Sequence, residues 1–226
     1  MEKSMIKNYL YLLDVRPLYK KDKIDLCLKT VDLERRQKVD CLKSIEAKAL
    51  SLGAGLLLKK ATQIHFQEKY LPEVVVNDCG KPMFSGTDNF FFNLSHSGYL
   101  AACGVGPKPL GVDVQKIGQA RISLAERFFH HKESAFLKRL PENQRENGFS
   151  QIWAAKESYI KYQGSGLGFP LNAFFIEFMV KSDGWEAVNC SQPGVYFKNY
   201  PVPADYAVWF CSEHDSFEEA AIWLEV

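Results

Sequence analysis

The chain has 226 residues, enough for one large domain or two small ones, and 46% of them are apolar, an ordinary share for a globular core. Its 28 Lys and Arg stand against 27 Asp and Glu, a formal charge of +1 that excludes a sequence-wide pull toward nucleic acid or anionic membrane and makes any anion site a local one. Six scattered cysteines, Cys27, Cys41, Cys79, Cys103, Cys190 and Cys211, show no C-x-x-C and no histidines at zinc-ligand spacing, so they read as reduced structural thiols of a soluble, cytoplasmic protein.

Near the N-terminus, YLYLLDV (Tyr9 to Val15) is too short for the apolar region of a signal peptide and has no small-residue cleavage site; it predicts a first strand, closed by Arg16-Pro17. From Asp32 to Phe66 the spacing of Ile45, Ala49, Leu52 and Leu56 predicts helix, with a basic cluster (Arg35, Arg36, Lys38, Lys43, Lys48) toward its start. The most apolar stretch there, Ala49 to Leu58, falls short of the ~20 residues a membrane helix needs. LPEVVVNDCGKPMF predicts a short strand and a Gly80-Lys81-Pro82 turn, and FFFNLS, YLAACGV and PLGVDVQ predict further strands.

The two prolines of Gly106–Pro109 cannot continue a strand ladder and divide the chain into halves, 1–106 and 107–226. A helical region begins near Ile122 and pauses at Pro141; another runs from about Phe149 to Tyr162 and stops at the glycines of QGSGLG. AFFIEFMV, GVYFKNY, DYAVWFCSE and AAIWLEV predict the remaining strands. Helices with antiparallel-looking strands in each half make an α+β pattern.

Residues two apart share a strand face, so in PLGVDVQ Asp113 and Gln115 point one way while Val112 and Val114 point the other. That is either a strand end reaching solvent or a pair of oxygen donors. Glu157 and Lys161, four apart, share a helix face with Trp153 a turn earlier. Such a pair is also the commonest surface pair, worth ~0.2–0.5 kcal/mol; the glycine run after it, which lets backbone approach a ligand, gives it more weight. Ser95 and His96 have no G-x-S-x-G elbow around them, and a hydroxyl and an imidazole beside backbone N–H groups suit phosphate, with a polar turn as the alternative. Lys81 belongs to neither a Walker A loop nor a dinucleotide fingerprint.

Taken in order, GKP, FNLSHS, GVDVQ and WAAKESYIKYQGSG resemble the motifs of the Sfp-type 4'-phosphopantetheinyl transferases, and they span Gly80 to Gly166. The resemblance implies two similar halves related by a pseudo-twofold axis, each with helices packed on an antiparallel sheet, and coenzyme A in the cleft between them. It implies magnesium-dependent transfer of the phosphopantetheine arm from coenzyme A to a serine of an apo acyl or peptidyl carrier protein, releasing adenosine 3',5'-bisphosphate, by a monomer.

Residue by residue, it implies that Arg35 and Lys38 meet the 3'-phosphate, Lys81 and Pro82 lie by the adenine, and Ser95 and His96 contact phosphate. Asp113 and Glu157 would hold the metal, with Gln115 as a further oxygen donor to it; Glu157, or a metal-bound water it orients, would serve as base, and Lys161 would approach the pyrophosphate. Gln115 stands where the family usually has Glu and keeps an oxygen donor without the charge. A family arginine falls near Leu50, with Lys48 close by, and Glu133 of RFFHHKE matches an acidic position near the metal. The rival readings are a noncatalytic coenzyme A or nucleotide-binding module of the same fold, which Gln115 motivates, and an unrelated magnesium-dependent phosphotransferase. A plain scaffold would leave four ordered motifs unexplained.

Overall fold

The structure is a computed structural model that describes residues 6–65, 72–118, 122–182 and 184–226. In chain order the elements are β1 (Tyr9–Asp14), α1 (Lys21–Leu28), α2 (Leu33–Asp40), α3 (Ile45–His65), β2 (Val74–Val76), β3 (Pro82–Phe84), β4 (Phe91–Ser97), β5 (Leu100–Gly106) and β6 (Leu110–Lys116). There follow α4 (Ile122–Phe128), α5 (His131–Arg139), α6 (Arg145–Gln163), β7 (Ile176–Lys181), β8 (Gly184–Cys190), β9 (Tyr196–Asn199), β10 (Tyr206–Ser212) and β11 (Ile222–Leu224). The fold is α+β, with one sheet ordered β11-β1-β5-β4, a second ordered β6-β10-β9, and two hairpins, β2-β3 and β7-β8.

Both sheets are buried on two faces, and the strand residues alternate between cores accordingly. In β1, Tyr11 and Leu13 join the core under α1–α3, while Leu10 and Leu12 join a second core that also takes Val112 and Val114 of β6 and Val208 and Phe210 of β10. On the far side of β10, Ala207, Trp209 and Cys211 meet Ile152, Ala155 and Tyr159 of α6 in a third core. The layers therefore run helices, sheet, sheet, helix. Val112 and Val114 face the core as their alternation predicts.

The seam between the sheets is made by side chains. Asn93, Ser95 and Ser97 project from one face of β4 and accept hydrogen bonds from alternate N–H groups of β6: Val112 N to Asn93 Oδ1 at 2.9 Å, Val114 N to Ser95 Oγ at 3.2 Å, and Lys116 N to Ser97 Oγ at 3.0 Å. The opposite edge of β6 pairs with β10, so these acceptors satisfy donors that burial would otherwise leave unpaired. On its α6 side β6 comes so near that a Cβ at Gly111 would collide with the backbone of Ser158 and Tyr162.

Several boundaries differ from the sequence reading. The helix expected over Asp32–Phe66 is two helices, because Cys41 N closes α2 on Gln37 O and Ser44 Oγ accepts Ala47 N to start α3; Phe66 lies outside the described residues. So does Leu71, at the head of the segment before β2. The region after Ile122 is likewise two helices: His130 opens α5, accepting Lys132 N while its own N–H donates to Glu133. α6 begins at Arg145, earlier than Phe149, and includes Gly148, where the absence of a Cβ lets the helix lie against Leu137 and Leu140. At its other end Gly164 takes φ +69°, the left-handed stop expected of the glycine run. α1 and β8 lie in stretches where no element was expected. Strand β11 pairs in parallel with β1, Tyr11 beside Ile222, so the last strand of the sequence joins the first half's sheet. No described helix is long and apolar enough to cross a membrane.

Replacing Asn93 by Ala strands the buried Val112 N–H, and the loss of stability expected in urea unfolding is ~1–3 kcal/mol.

Candidate functional site

Where α2, β3, β4, β6 and α6 converge there is a cavity of about 480 Å³ lined by Arg35, Lys38, Pro82, Ser95, His96, Asp113, Gln115, Trp153, Glu157 and Lys161. Arg35, Lys38, Pro82, Ser95, His96, Asp113, Gln115, Glu157 and Lys161, all singled out in the sequence, are brought together here, whereas Lys81, Arg36, Leu50 and Glu133 are not. A second cavity of about 280 Å³ opens beside it between the Gly80–Pro82 turn and the end of α6, and shares Pro82, Glu157 and Lys161 with the first.

The centre of the cleft is a triad. Lys161 Nζ lies 2.6 Å from Asp113 Oδ1 and donates to Ser95 Oγ at 2.8 Å, and Ser95 Oγ donates to Asp113 Oδ1 at 2.9 Å. Asp113 is nearly buried, its side chain only 8% exposed, so this pairing compensates a charge held largely out of water. Glu157, one helical turn before Lys161, makes no hydrogen bond among the described residues. Burial first and the neighbouring Asp113 charge second push its carboxyl above the usual range, with Lys161 pulling the other way.

The basic side of the cleft comes from α2. Asp32 caps this helix by accepting Arg35 N at 2.7 Å, and the Arg35 side chain crosses α3 over Gly55, where any Cβ would strike it. His96, on the opposite pleat from Ser95, has its pKa lowered by burial and by Lys161, Lys38 and Arg35, so at neutral pH it is an uncharged imidazole among cations.

Other singled-out residues have different surroundings. Lys81 donates to Leu110 O at 3.0 Å and Tyr162 O at 2.9 Å, staples its turn to β6 and α6, and is lowered by burial to about 8. Arg36 donates to Lys29 O and Val31 O, and Leu50 packs against the first core. Glu133 is not in the cleft. Its carboxylate lies 2.7 Å from Lys156 Nζ, both side chains 0% exposed, and accepts from Ile176 N and His130 N, while Lys156 also donates to Phe174 O. This buried pair ties α6 to α5 and β7 on the side of the helix away from Glu157. Its only signal in the sequence was a Lys beside Glu157 in an otherwise apolar register.

A family model, the 4'-phosphopantetheinyl transferase superfamily, matches residues 109–211. Among curated relatives, a 4'-phosphopantetheinyl transferase of Bacillus subtilis is 32% identical over 144 residues, 63% of each chain, so the chain spans less than two thirds of that relative's length. The B. subtilis 4'-phosphopantetheinyl transferase ffp is 28% identical over 207 residues, 90% of this chain and 91% of its own. The gsp transferase of Aneurinibacillus migulanus is 37% identical over 101 residues, 45% of this chain and 42% of its own. A crystal structure of Thermotoga maritima holo-[acyl-carrier-protein] synthase aligns with a TM-score of 0.33 at 21% identity, over 46% of this chain and 61% of that one.

Removing one partner of the buried pair leaves an uncompensated charge, so Lys156→Met is expected to cost ~3–5 kcal/mol in chemical unfolding. Adding Glu133→Gln to it removes that charge and is expected to restore part of the loss.

Proposed function

We propose that this chain, a member of the 4'-phosphopantetheinyl transferase superfamily, transfers the phosphopantetheine arm of coenzyme A to a serine hydroxyl of an apo carrier protein and releases adenosine 3',5'-bisphosphate. The single observation that carries the reading is the cleft itself, where three cations and two carboxylates contributed by both halves of the sequence meet around one cavity. The two halves, 1–106 and 107–226, are proposed to face each other across it.

In this reading Arg35 and Lys38 bind the 3'-phosphate, with neutral His96 as a further hydrogen-bonding partner. Pro82 gives the adenine an apolar wall, and Lys81, with one N–H left after its two carbonyl bonds, holds the turn and reaches the base. Ser95 and Lys161 meet the pyrophosphate. The donor set fits magnesium, which takes hard oxygen ligands and commonly only one or two carboxylates beside phosphate. Asp113 and Glu157 supply these, with the Gln115 amide oxygen alongside, and without a cation the two carboxylates repel each other. No described cluster of three or more His, Cys, Asp or Glu side chains suits a metal ion, so an all-protein cage is not what this cleft offers. When bound, the ion withdraws charge from the pyrophosphate as a Lewis acid.

The chain's own residues account for the proton and the charge. Glu157 accepts the proton of the carrier serine as its oxygen forms the new bond to phosphorus. The bridging P–O bond breaks, and Lys161 neutralises charge on the departing phosphate. The cavity beside the Gly80–Pro82 turn leaves room next to both catalytic side chains. The chain's near-neutral charge accords with a local docking patch for the carrier, whose pathway could be fatty-acid, polyketide or nonribosomal-peptide synthesis.

Incubation with coenzyme A, magnesium and apo carrier proteins is expected to add the mass of one phosphopantetheine arm to the carrier. Coenzyme A binding with no mass gain on any of several carriers would instead mark a noncatalytic module. Glu157→Gln should lower turnover by ~10²–10⁴-fold, the usual worth of a general base.

A further inference from the structure

Lys161 has two engagements that compete during turnover. Its ammonium is 2.6 Å from Asp113 Oδ1 and 2.8 Å from Ser95 Oγ, yet the reading above assigns it to phosphate and assigns Asp113 to a cation. We propose that Lys161 is a displaceable counter-ion of Asp113, one that a divalent cation supplants as the ammonium moves to the coenzyme A phosphates. The inference rests on the proposed function and deepens it.

Three observations support the exchange. The Ser95 hydroxyl is saturated: it donates to Asp113 Oδ1 and accepts from Val114 N and Lys161 Nζ, so its one proton and both lone pairs are in use. A phosphate oxygen can bond Ser95 only if that hydroxyl turns away from Asp113. Asp113 Oδ1 in turn takes both the ammonium and the hydroxyl, while Oδ2 has no hydrogen bond among the described residues. Oδ2 is thus where a cation can first approach, and a phosphate that turns Ser95 away at the same time leaves the ammonium as the last partner of Oδ1.

Secondly, charge disfavours two cations on one oxygen of Asp113. A divalent ion and an ammonium at contact distance from the same oxygen repel each other, and the nearby Glu157 carboxylate has no hydrogen bond to give up. Thirdly, the movement needs only side-chain rotation. Lys161 is 27% exposed and lines both cavities, so its head can swing off Asp113 while α6 stays fixed by the buried Lys156–Glu133 pair. Arg35 and Lys38 have no such tether to either carboxylate.

Calorimetric titration of magnesium chloride into the full chain, with and without saturating coenzyme A, tests this in wild type, Lys161→Met and Lys161→Arg. Removing the ammonium should tighten magnesium binding to the ligand-free protein about tenfold or more, and Arg, which keeps the charge, should stay near wild type. By linkage, the factor by which coenzyme A tightens magnesium should be at least about threefold smaller in the Met variant. Lys161→Gln gives the same comparison if the Met variant fails to fold. Equal or weaker magnesium affinity in the neutral variants would overturn the exchange while leaving the proposed function intact. Magnesium binding by none of the proteins, even with coenzyme A, would remove the metal reading and the exchange with it.

Discussion

Three side-chain acceptors on one strand hold the two sheets together. Asn93, Ser95 and Ser97 stand where the carbonyls of a neighbouring strand would stand, and β6 donates to them as it would to a sheet partner. A continuous backbone ladder would have merged β4 and β6 into one surface. Side chains put the strands farther apart and let the sheets stack, with Leu10, Leu12, Val112 and Val114 between them. The cleft follows from this spacing, since β4 and β6 both present residues to it and α6, pressed onto β6 at Gly111, supplies its other wall. Ser95 belongs to the seam and to the site at once: the hydroxyl that accepts Val114 N between the sheets also donates to Asp113.

Much of the site was legible because it obeys local periodicities. Period two in PLGVDVQ placed Asp113 opposite Val112, and period near four placed Glu157 and Lys161 on one face; both hold in the structure. What was not legible depends on partners distant in sequence. Nothing in FNLSHS says that its alternate polar residues meet the N–H groups of β6, and a polar turn fitted them as well. Nothing in CGKPM says that the Lys81 ammonium also meets two carbonyls brought near by folding. Glu133 shows the converse: its position in the motif pointed to the metal, and the chain spends its carboxylate on Lys156. The splitting of the long helical stretches turned on single caps, Ser44 and His130, which periodicity of apolar residues does not weigh.

A chain with a net charge of +1 can still bind a polyanion when its charges are sorted in space. Arg35, Lys38 and Lys161 gather on one cavity, and the carboxylates facing them are confined to Asp113 and Glu157. Packing maintains this sorting: Gly55 lets Arg35 cross α3, Asp32 fixes the start of α2, and the buried pair under α6 sets which side of that helix meets the cavity. The electrostatics are therefore a property of the scaffold as much as of the residues that carry the charge.

The parallel pairing of β1 with β11 has a consequence for synthesis. Tyr11 and Ile222 are neighbours in space and almost a whole sequence apart, so β1 keeps an open, apolar edge while every residue between them is being made. Contacts of that separation form late and slowly, and an emerging chain with an unpaired β1 can pair with another copy of itself instead. The first sheet is finished only when residues 222–224 arrive, so its edge strand is the last of its four strands to be made and lies on the far side of the sheet from β4 and the cleft.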